Sequence, residues 1–308
     1  DAIEGRVREG IRRTKEEHPY FGVARVWQWL RRIFFLPVSY RQVRRAMKEE
    51  NLVLPKARRR RPEQPRRYER AKPNQMWCSD ITEFRIGRGM TVHLIGFMDD
   101  HSRYIVAWGL YASCTTELVL EVLKNAFDSY GYPEEVLTDN GPQYKTWRGT
   151  TRFELALRRE KTRHVLCGRE RPQGNGKIEA FWGALKKEFV RRAPLGPIDE
   201  VRERLTHWMN FYNWQRPHEA LEYATPAERY FQFAPEAKVE IQKRIKANEE
   251  ALALGESLLP VGQAPAGSRT VEVRREGGNF VVRMDGEEIK RTELNSKNEE
   301  KNGDTQDQ

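Results

Sequence analysis

The stretch "LTDNGPQY", Leu137 to Tyr144, joins a strand-like apolar run to an acid and a sharp turn. The run ends at Leu137, and Asp139 follows two residues later. The next three residues, Asn-Gly-Pro at 140–142, predict a turn. Because Asp, Asn and Gly favour turns, the stretch alone is a common way to end a strand. A strand end is also a rigid mount that leaves a carboxylate open to a ligand. The stretch therefore raises the question of whether other acids are placed to meet Asp139.

The 308-residue chain is strongly basic, with 55 Lys and Arg against 45 acids and a net charge of +10. Such a balance favours a polyanion as partner, most often nucleic acid. No run reaches the ~18 consecutive apolar residues of a membrane span, and we recognise no signal peptide, so we expect no membrane partner. The three cysteines, Cys78, Cys114 and Cys167, are too sparse for a disulfide framework and lack zinc-finger spacing.

The first 55 residues have helical spacing in two pieces, broken at His18-Pro19, and a third helix is predicted after Ser39. Ser39 is a suitable N-cap, and Val43 and Met47 fall on one face of the helix that follows. Three short helices with basic faces suggest a helix-turn-helix-like DNA-binding module. A plain helical hairpin remains the alternative.

A basic, proline-containing segment follows, and its composition cannot build a core. Four consecutive arginines, Arg58, Arg59, Arg60 and Arg61, repel one another unless a polyanion lies nearby. We therefore predict that they contact nucleic acid, with a solvated tether as the alternative.

From Met76 onward the sequence predicts strands and helices in the order β-β-β-α-β-α-β-α, a mixed sheet with helices packed on its faces. A charged helix, a Pro/Gly spacer and a small β-meander with two turn dipeptides come after it. The predicted units are a helical module (1–55), a basic linker (56–73), the α/β core (74–235), a charged helix and linker (236–267), a small β domain (268–294) and a disordered tail (295–308).

Two further acids are candidate partners of Asp139. Asp80 lies inside the first predicted strand, in "WCSDITEF", and Glu179 opens the helix after a Gly-rich loop, in "GNGKIEAFW". A carboxylate is rarely placed within a core strand unless it is paired or bound to metal. Three carboxylates from three elements can meet at one edge of the sheet and hold Mg²⁺, which takes a few carboxylates together with water and phosphate oxygens.

The chain resembles bacterial insertion-sequence transposases with a retroviral-integrase-type catalytic core, known as DDE enzymes. Four blocks in the same order carry the resemblance, "WCSDITEF", "LTDNGPQY", "RPQGNGKIEAFWGALKKEF" and "FYNWQRPHEALEYATPAERY". With the three-helix start they cover most of residues 1–231. The resemblance implies a ribonuclease H-like fold and a catalytic, metal-binding triad of Asp80, Asp139 and Glu179.

The sequence departs from the family's pattern in its spacing. Asp139 and Glu179 are 40 positions apart, several more than is usual, and the extra length falls near 147–151. Retroviral integrases also carry a zinc module before the core, whereas no cysteine precedes Cys78 here, so we expect no structural zinc.

Other residues near the triad are assigned by spacing. Glu83 is expected on the strand face opposite Asp80, Asp99-Asp100 are expected to serve a turn, and Glu188 is expected to be solvated. The predicted DNA contacts in the core are Lys186, which lies on the same helix face as Glu179, and Asn140 and Gln143, which are placed to orient a terminal nucleotide. The block "RPH", Arg216 to His218, is expected to pack at a helix end.

The predicted function is that of a DNA transposase or integrase that cuts the 3′ ends of a mobile element and transfers them to target DNA with Mg²⁺ or Mn²⁺. The expected partners are terminal-repeat and target DNA and further copies of the chain. A cytoplasmic, nucleoid-associated location in a bacterium is expected. The alternatives are a DNA-binding regulator derived from a transposase and a ribonuclease H-like nuclease.

Overall fold

The computed structural model describes residues 2–55, 69–145, 149–167, 175–254, 271–284 and 286–293. The arginine run at 58–61, residues 146–148 beside and within the expected extra length, and the tail beyond 293 lie outside the described residues.

The chain begins with three helices, α1 (Ala2–Glu17), α2 (Val23–Ile33) and α3 (Tyr40–Glu49). The predicted break at His18-Pro19 separates α1 from α2. Their apolar faces form a core of their own, which includes Ile11, Leu30 and Met47. The exposed face of α3 carries four basic residues, Arg41, Arg44, Arg45 and Lys48.

Ser39 caps α3 as predicted, in a reciprocal capping box with Gln42. The backbone N–H of Gln42 donates to Ser39 Oγ at 3.3 Å, and the backbone N–H of Ser39 donates to Gln42 Oε1 at 2.8 Å. We expect Ser39→Ala to lower the free energy of unfolding by about 1 kcal/mol because a helix-end donor loses its acceptor. Urea denaturation measures the change, and Ser39→Asp, which keeps an acceptor, serves as the control. Equal losses in both variants would show that the acceptor oxygen at residue 39 is not the source of the stability.

Five strands form the central sheet, namely β1 (Met76–Ile86), β2 (Met90–Asp99), β3 (Ile105–Tyr111), β4 (Glu135–Thr138) and β5 (Arg163–Leu166). Their spatial order is β3-β2-β1-β4-β5. The first three strands pair antiparallel, and β4 and β5 pair parallel to β1 and β4. This order, with helices between the parallel strands, is that of a ribonuclease H-like fold, and the predicted fold class is confirmed.

Helices cover both faces of the sheet. The covering helices are α4 (Thr116–Tyr130), α5 (Arg152–Arg159), α6 (Gly176–Leu185) and α7 (Ile198–Trp214). Two further helices, α8 (Pro226–Tyr230) and α9 (Ala234–Ala253), follow them in the chain. One core lies between the sheet and α4 and α5, around Trp77 and Phe97. A second core lies between the opposite face and α6 and α7, around Cys78 and Leu94. Successive residues of β1 therefore point alternately toward α4 and toward α6.

The predicted β-meander is present as β6 (Val271–Glu276), β7 (Asn279–Met284) and β8 (Glu287–Glu293). Phe280 and Val282 of β7 join the core on the α4 face. The three-helix module also packs on the α/β core, where the His18 ring stacks on Phe211 of α7 at 4.6 Å between centroids.

Candidate active site

The pairing of β1 with β4 brings Asp80 and Asp139 side by side. The register of the two parallel strands is Trp77 to Val136 and Cys78 to Leu137. Continued by two residues, this register places Asp80 opposite Asp139, which is the first residue after β4. Because Cys78 faces α6, the alternation of β1 directs Asp80 to the α6 face, and the continued register places Asp139 beside it.

A tight turn fixes Asp139. The Gly141 N–H donates to Asp139 Oδ1 at 2.9 Å. A Cβ at Gly141 would lie 2.9 Å from that same oxygen, so a larger residue here would displace the Asp139 carboxylate. The turn is anchored by buried Tyr144, whose hydroxyl lies 2.9 Å from Ser79 Oγ. The apolar-acid-turn pattern of the sequence thus serves to hold one carboxylate at a strand end.

Asp80 is half-buried and has a specific donor. Trp182 of α6 donates from Nε1 to Asp80 Oδ2 at 3.0 Å. Burial raises the pKa of Asp80, the backbone N–H of Ile81 and the indole of Trp182 oppose that rise, and the charges of Asp139 and Glu179 add to it. Burial is the main cause of the raised pKa of Asp80, and the two neighbouring acids contribute less.

Glu179 lies in the first turn of α6 and is exposed. The start of this helix is held against the β2–β3 turn by Lys177, whose Nζ donates to Asp100 O at 2.9 Å and to Asp100 Oδ1 at 2.6 Å. Glu179 is therefore carried by a fixed helix while its own side chain stays in solvent.

A cavity of about 510 Å³ opens beside the acid pair. Its lining includes Asp80, Asp139 and Gln143 but not Glu179. In the part of the chain that the structure describes, no three His, Cys, Asp or Glu side chains are grouped closely enough to hold an ion. The structure thus brings two of the three acids together and leaves the third on the adjacent helix.

The competing acids have other roles. Glu83 lies 3.1 Å from His93 Nδ1 across the β1–β2 pair, on the face opposite Asp80. Buried Asp99 accepts from the backbone N–H groups of Asn74 and Ser102, each at 2.8 Å. Asp100 accepts from Lys177, as described above. These contacts agree with the turn role expected for Asp99 and Asp100.

The expectation that Glu188 is solvated is wrong. Its side chain is 10% exposed, and Arg216 donates to it twice, from Nε at 3.0 Å and from Nη2 at 2.7 Å. Arg25 of the helical module lies 3.5 Å from the same carboxylate. The chain leaves α6 in a π-helical turn at Lys186–Val190, which shifts the face on which Glu188 lies. Arg216 of the "RPH" block thus packs at a helix end through a buried ion pair.

The predicted DNA contacts of the core lie around the acid pair. Lys186 is half-buried at the end of α6, seven positions after Glu179. Gln143 lines the cavity, and its Nε2 lies 3.6 Å from Cys114 Sγ. Asn140 is exposed and donates to Cys167 O at 3.3 Å. These positions do not test whether the three residues contact DNA.

The sequence reasoning did not single out Trp182 or Lys177. Trp182 follows Glu179 by three positions, which places both on neighbouring parts of one helix face. A second signal was Gly96 within an apolar strand, since glycine in a strand interior often marks the close approach of another group. The two signals indicate a Trp182–Gly96 contact only once α6 is known to place the Trp182 ring against β2.

The fold is that of a ribonuclease H-like core preceded by a helix-turn-helix-like module. Models of the integrase core domain match residues 70–172 and 160–226, and a model of the HTH-like domain matches residues 3–61. A protein of insertion element IS136 from Agrobacterium fabrum is 31% identical over 163 residues, which are 50% of this chain and 82% of that protein.

Transposase InsD for insertion element IS2D of Escherichia coli is 28% identical over 230 residues, covering 69% of this chain and 74% of that protein. Among solved structures, the HTLV-2 integrase catalytic core domain in complex with magnesium is 17% identical with a TM-score of 0.41, covering 52% of this chain and 98% of that chain. The chain belongs to the integrase-core transposases of bacterial insertion elements. No helix among its described residues is both long and apolar enough to cross a membrane.

Proposed function

We propose that the chain cuts the 3′ ends of a mobile DNA element and joins them to target DNA, using Asp80, Asp139 and Glu179 as its catalytic acids. The observation that carries the proposal is the register of β1 and β4, which sets Asp80 beside Asp139 on the face covered by α6. Glu179 lies in the first turn of that helix. The integrase-core membership of the chain supports the same reaction class.

The acid pair fits a divalent metal. Its donors are carboxylate oxygens, which Mg²⁺ and Mn²⁺ prefer, and a cavity of about 510 Å³ beside them leaves room for phosphate oxygens and water. A bound cation would offset the burial and the weaker mutual repulsion that raise the pKa of Asp80. A metal held there would supply activation of the nucleophile and stabilisation of the leaving oxygen. Asp80 and Asp139 would hold it, and exposed Glu179 would turn toward it to complete the set.

The reaction has two transfers at phosphorus. Water attacks the phosphodiester at the element's end, and the bond that breaks leaves a free 3′-hydroxyl on the element. That hydroxyl then attacks a target phosphodiester, forms the new link and releases a target 3′-hydroxyl. The chain's own groups bind and orient the DNA strands, and no covalent protein–DNA intermediate is formed.

DNA is proposed to follow the basic surface of the chain. Lys186 is placed on the same helix as Glu179, where it can bind phosphates near the acids. Asn140 and Gln143 are proposed to orient the terminal nucleotide beside Asp139. The exposed basic face of α3 and the arginine run at 58–61 would grip the terminal repeat.

Several expectations from the sequence remain proposals. We propose that the chain works as an oligomer that pairs two DNA ends, in the cytoplasm and on the nucleoid. The division into six units with the boundaries given above is likewise proposed.

The test of the function is incubation of the chain with labelled linear DNA carrying candidate element ends and either Mg²⁺ or Mn²⁺. We expect cleaved 3′ ends and joined products, which disappear in EDTA and with Asp139→Asn. Cleavage confined to RNA in hybrids would indicate a nuclease. DNA binding with neither product would indicate a regulator, and either result would overturn the proposal.

The arginine run is expected to grip DNA without reading bases. Replacing Arg58, Arg59, Arg60 and Arg61 together with Ala should weaken binding to specific and random DNA by similar factors. The slope of log K against log salt should become about two to four units less steep, because each lost phosphate contact reduces its magnitude by roughly 0.9. Affinity is measured for both DNAs across a salt series.

The matched control replaces the same four residues with Lys, which keeps the charge and should keep the slope. An unchanged slope in the Ala variant would make the run a passive tether. A loss confined to the specific DNA would mean that the arginines read groove shape.

A further inference from the structure

Trp182 makes a direct bond to one of the proposed metal-binding acids. It lies on α6, it is 5% exposed, and its Nε1–H donates to Asp80 Oδ2 at 3.0 Å. The same helix carries Glu179 three residues earlier. The indole therefore connects α6, which carries Glu179, to the carboxylate of Asp80.

Gly96 gives the indole its position. It pairs with Asp80 across β1 and β2. A Cβ at Gly96 would lie 2.8 Å from Cη2 and 3.2 Å from Cζ2 of Trp182. The six-membered ring thus rests against the bare backbone of β2, in space that a side chain on residue 96 would fill. The position of the ring fixes the direction of its N–H.

An orienting bond on a half-buried carboxylate has a definite effect. A carboxylate oxygen accepts more than one bond, so the indole can hold Asp80 while a cation binds the same group. A carboxylate held in one orientation loses less conformational freedom on binding metal. Groups that orient metal ligands in this way change metal affinity by about 10- to 100-fold when they are removed.

We propose that Trp182 is a positioning residue, which holds the Asp80 carboxylate in the orientation that binds the divalent cation, and that Gly96 is required for this placement. The inference rests on the proposed role of Asp80 in metal binding. The competing account is that Trp182 only fills the core between the sheet and α6, to which it belongs.

The test is the affinity of the full chain for Mn²⁺, measured by the electron paramagnetic resonance of free Mn²⁺ and needing no activity. Trp182→Phe removes the N–H and should weaken Mn²⁺ binding about 10-fold. Joining should then need correspondingly more Mg²⁺ and should recover at saturating metal. The matched control is Trp208→Phe in the same core, where the indole packs on Phe181 and Tyr212. That variant should keep the Mn²⁺ affinity of the unchanged chain.

A second variant leaves Trp182 in place. Gly96→Ala puts a methyl group against the six-membered ring, so it should displace the N–H and also weaken Mn²⁺ binding. Phenylalanine at 182 lacks the outer ring atoms that this methyl meets. In the Trp182→Phe background, Gly96→Ala should therefore add little, and this non-additivity is the sign of a shared mechanism.

The outcomes separate the inference from the function on which it rests. If Asp80→Asn weakens Mn²⁺ binding but neither Trp182→Phe nor Gly96→Ala does, Trp182 is a packing residue and the inference is overturned. If Asp80→Asn itself leaves Mn²⁺ binding unchanged, the proposed metal site fails and the inference with it. Equal losses in Trp182→Phe and Trp208→Phe would also overturn it, because they would reflect general loosening of the core.

Discussion

Asp80→Asn, Asp139→Asn and Glu179→Gln each lower the rates of DNA cleavage and joining by at least about a thousand-fold, while DNA binding changes little. Each substitution removes one negative charge and keeps the shape of the side chain. The expected loss corresponds to the several kcal/mol of transition-state stabilisation that a correctly held metal supplies. The rates are measured with labelled element ends, and binding is measured in the same buffer.

Glu83→Gln is the matched control. This acid lines the same cavity from the opposite face of β1, and its expected change in rate is less than a few-fold. Near-normal joining by Glu179→Gln would remove Glu179 from the catalytic set. A thousand-fold loss in Glu83→Gln would instead show that the functional face of β1 has been assigned wrongly.

Arg216→Ala is expected to lower the free energy of unfolding by about 3–5 kcal/mol. Arg216 and Glu188 form a two-bond ion pair in which their side chains are 5% and 10% exposed. Loss of the arginine leaves the Glu188 charge buried, with Arg25 at 3.5 Å as its remaining ion-pair partner among the described residues. Breaking a buried pair in this way is far more costly than losing an exposed one.

Denaturant unfolding with Arg191→Ala as the control measures this effect. Arg191 is exposed and lies three residues beyond Glu188, so its removal should change stability by less than about 0.5 kcal/mol. Equal, small effects of both substitutions would mean that the Arg216–Glu188 pair contributes no net stability.

The sequence predicted those parts of the fold that depend on local chemistry. Ser39 caps α3 because a hydroxyl before an amphipathic run accepts from the first turn. The helical run breaks at His18-Pro19, between α1 and α2, because proline cannot continue a helix interior. Helix periodicity and strand texture are properties of a few neighbouring residues, so they can be recognised without the rest of the chain.

The meeting of the acids could be predicted only in part. Asp80 lies within a strand-like run, Asp139 follows one, and the family resemblance named both. Their adjacency depends on the β1–β4 register, which no local pattern shows. Glu188 was misplaced because spacing was counted along a regular helix, whereas the chain makes a π-helical turn at Lys186–Val190. The Trp182–Asp80 bond joins residues 102 positions apart and depends on the crossing of α6 over β2.

The central claim is that Asp80 and Asp139 hold a divalent cation on the α6 face of the sheet, with Glu179 completing the site. Anomalous scattering from crystals of the chain soaked with Mn²⁺ tests it most directly. The expected result is a peak at bonding distance from carboxylate oxygens of Asp80 and Asp139, with the Glu179 side chain turned toward it. A peak held instead by Glu83 and His93, with none between Asp80 and Asp139, would contradict the account.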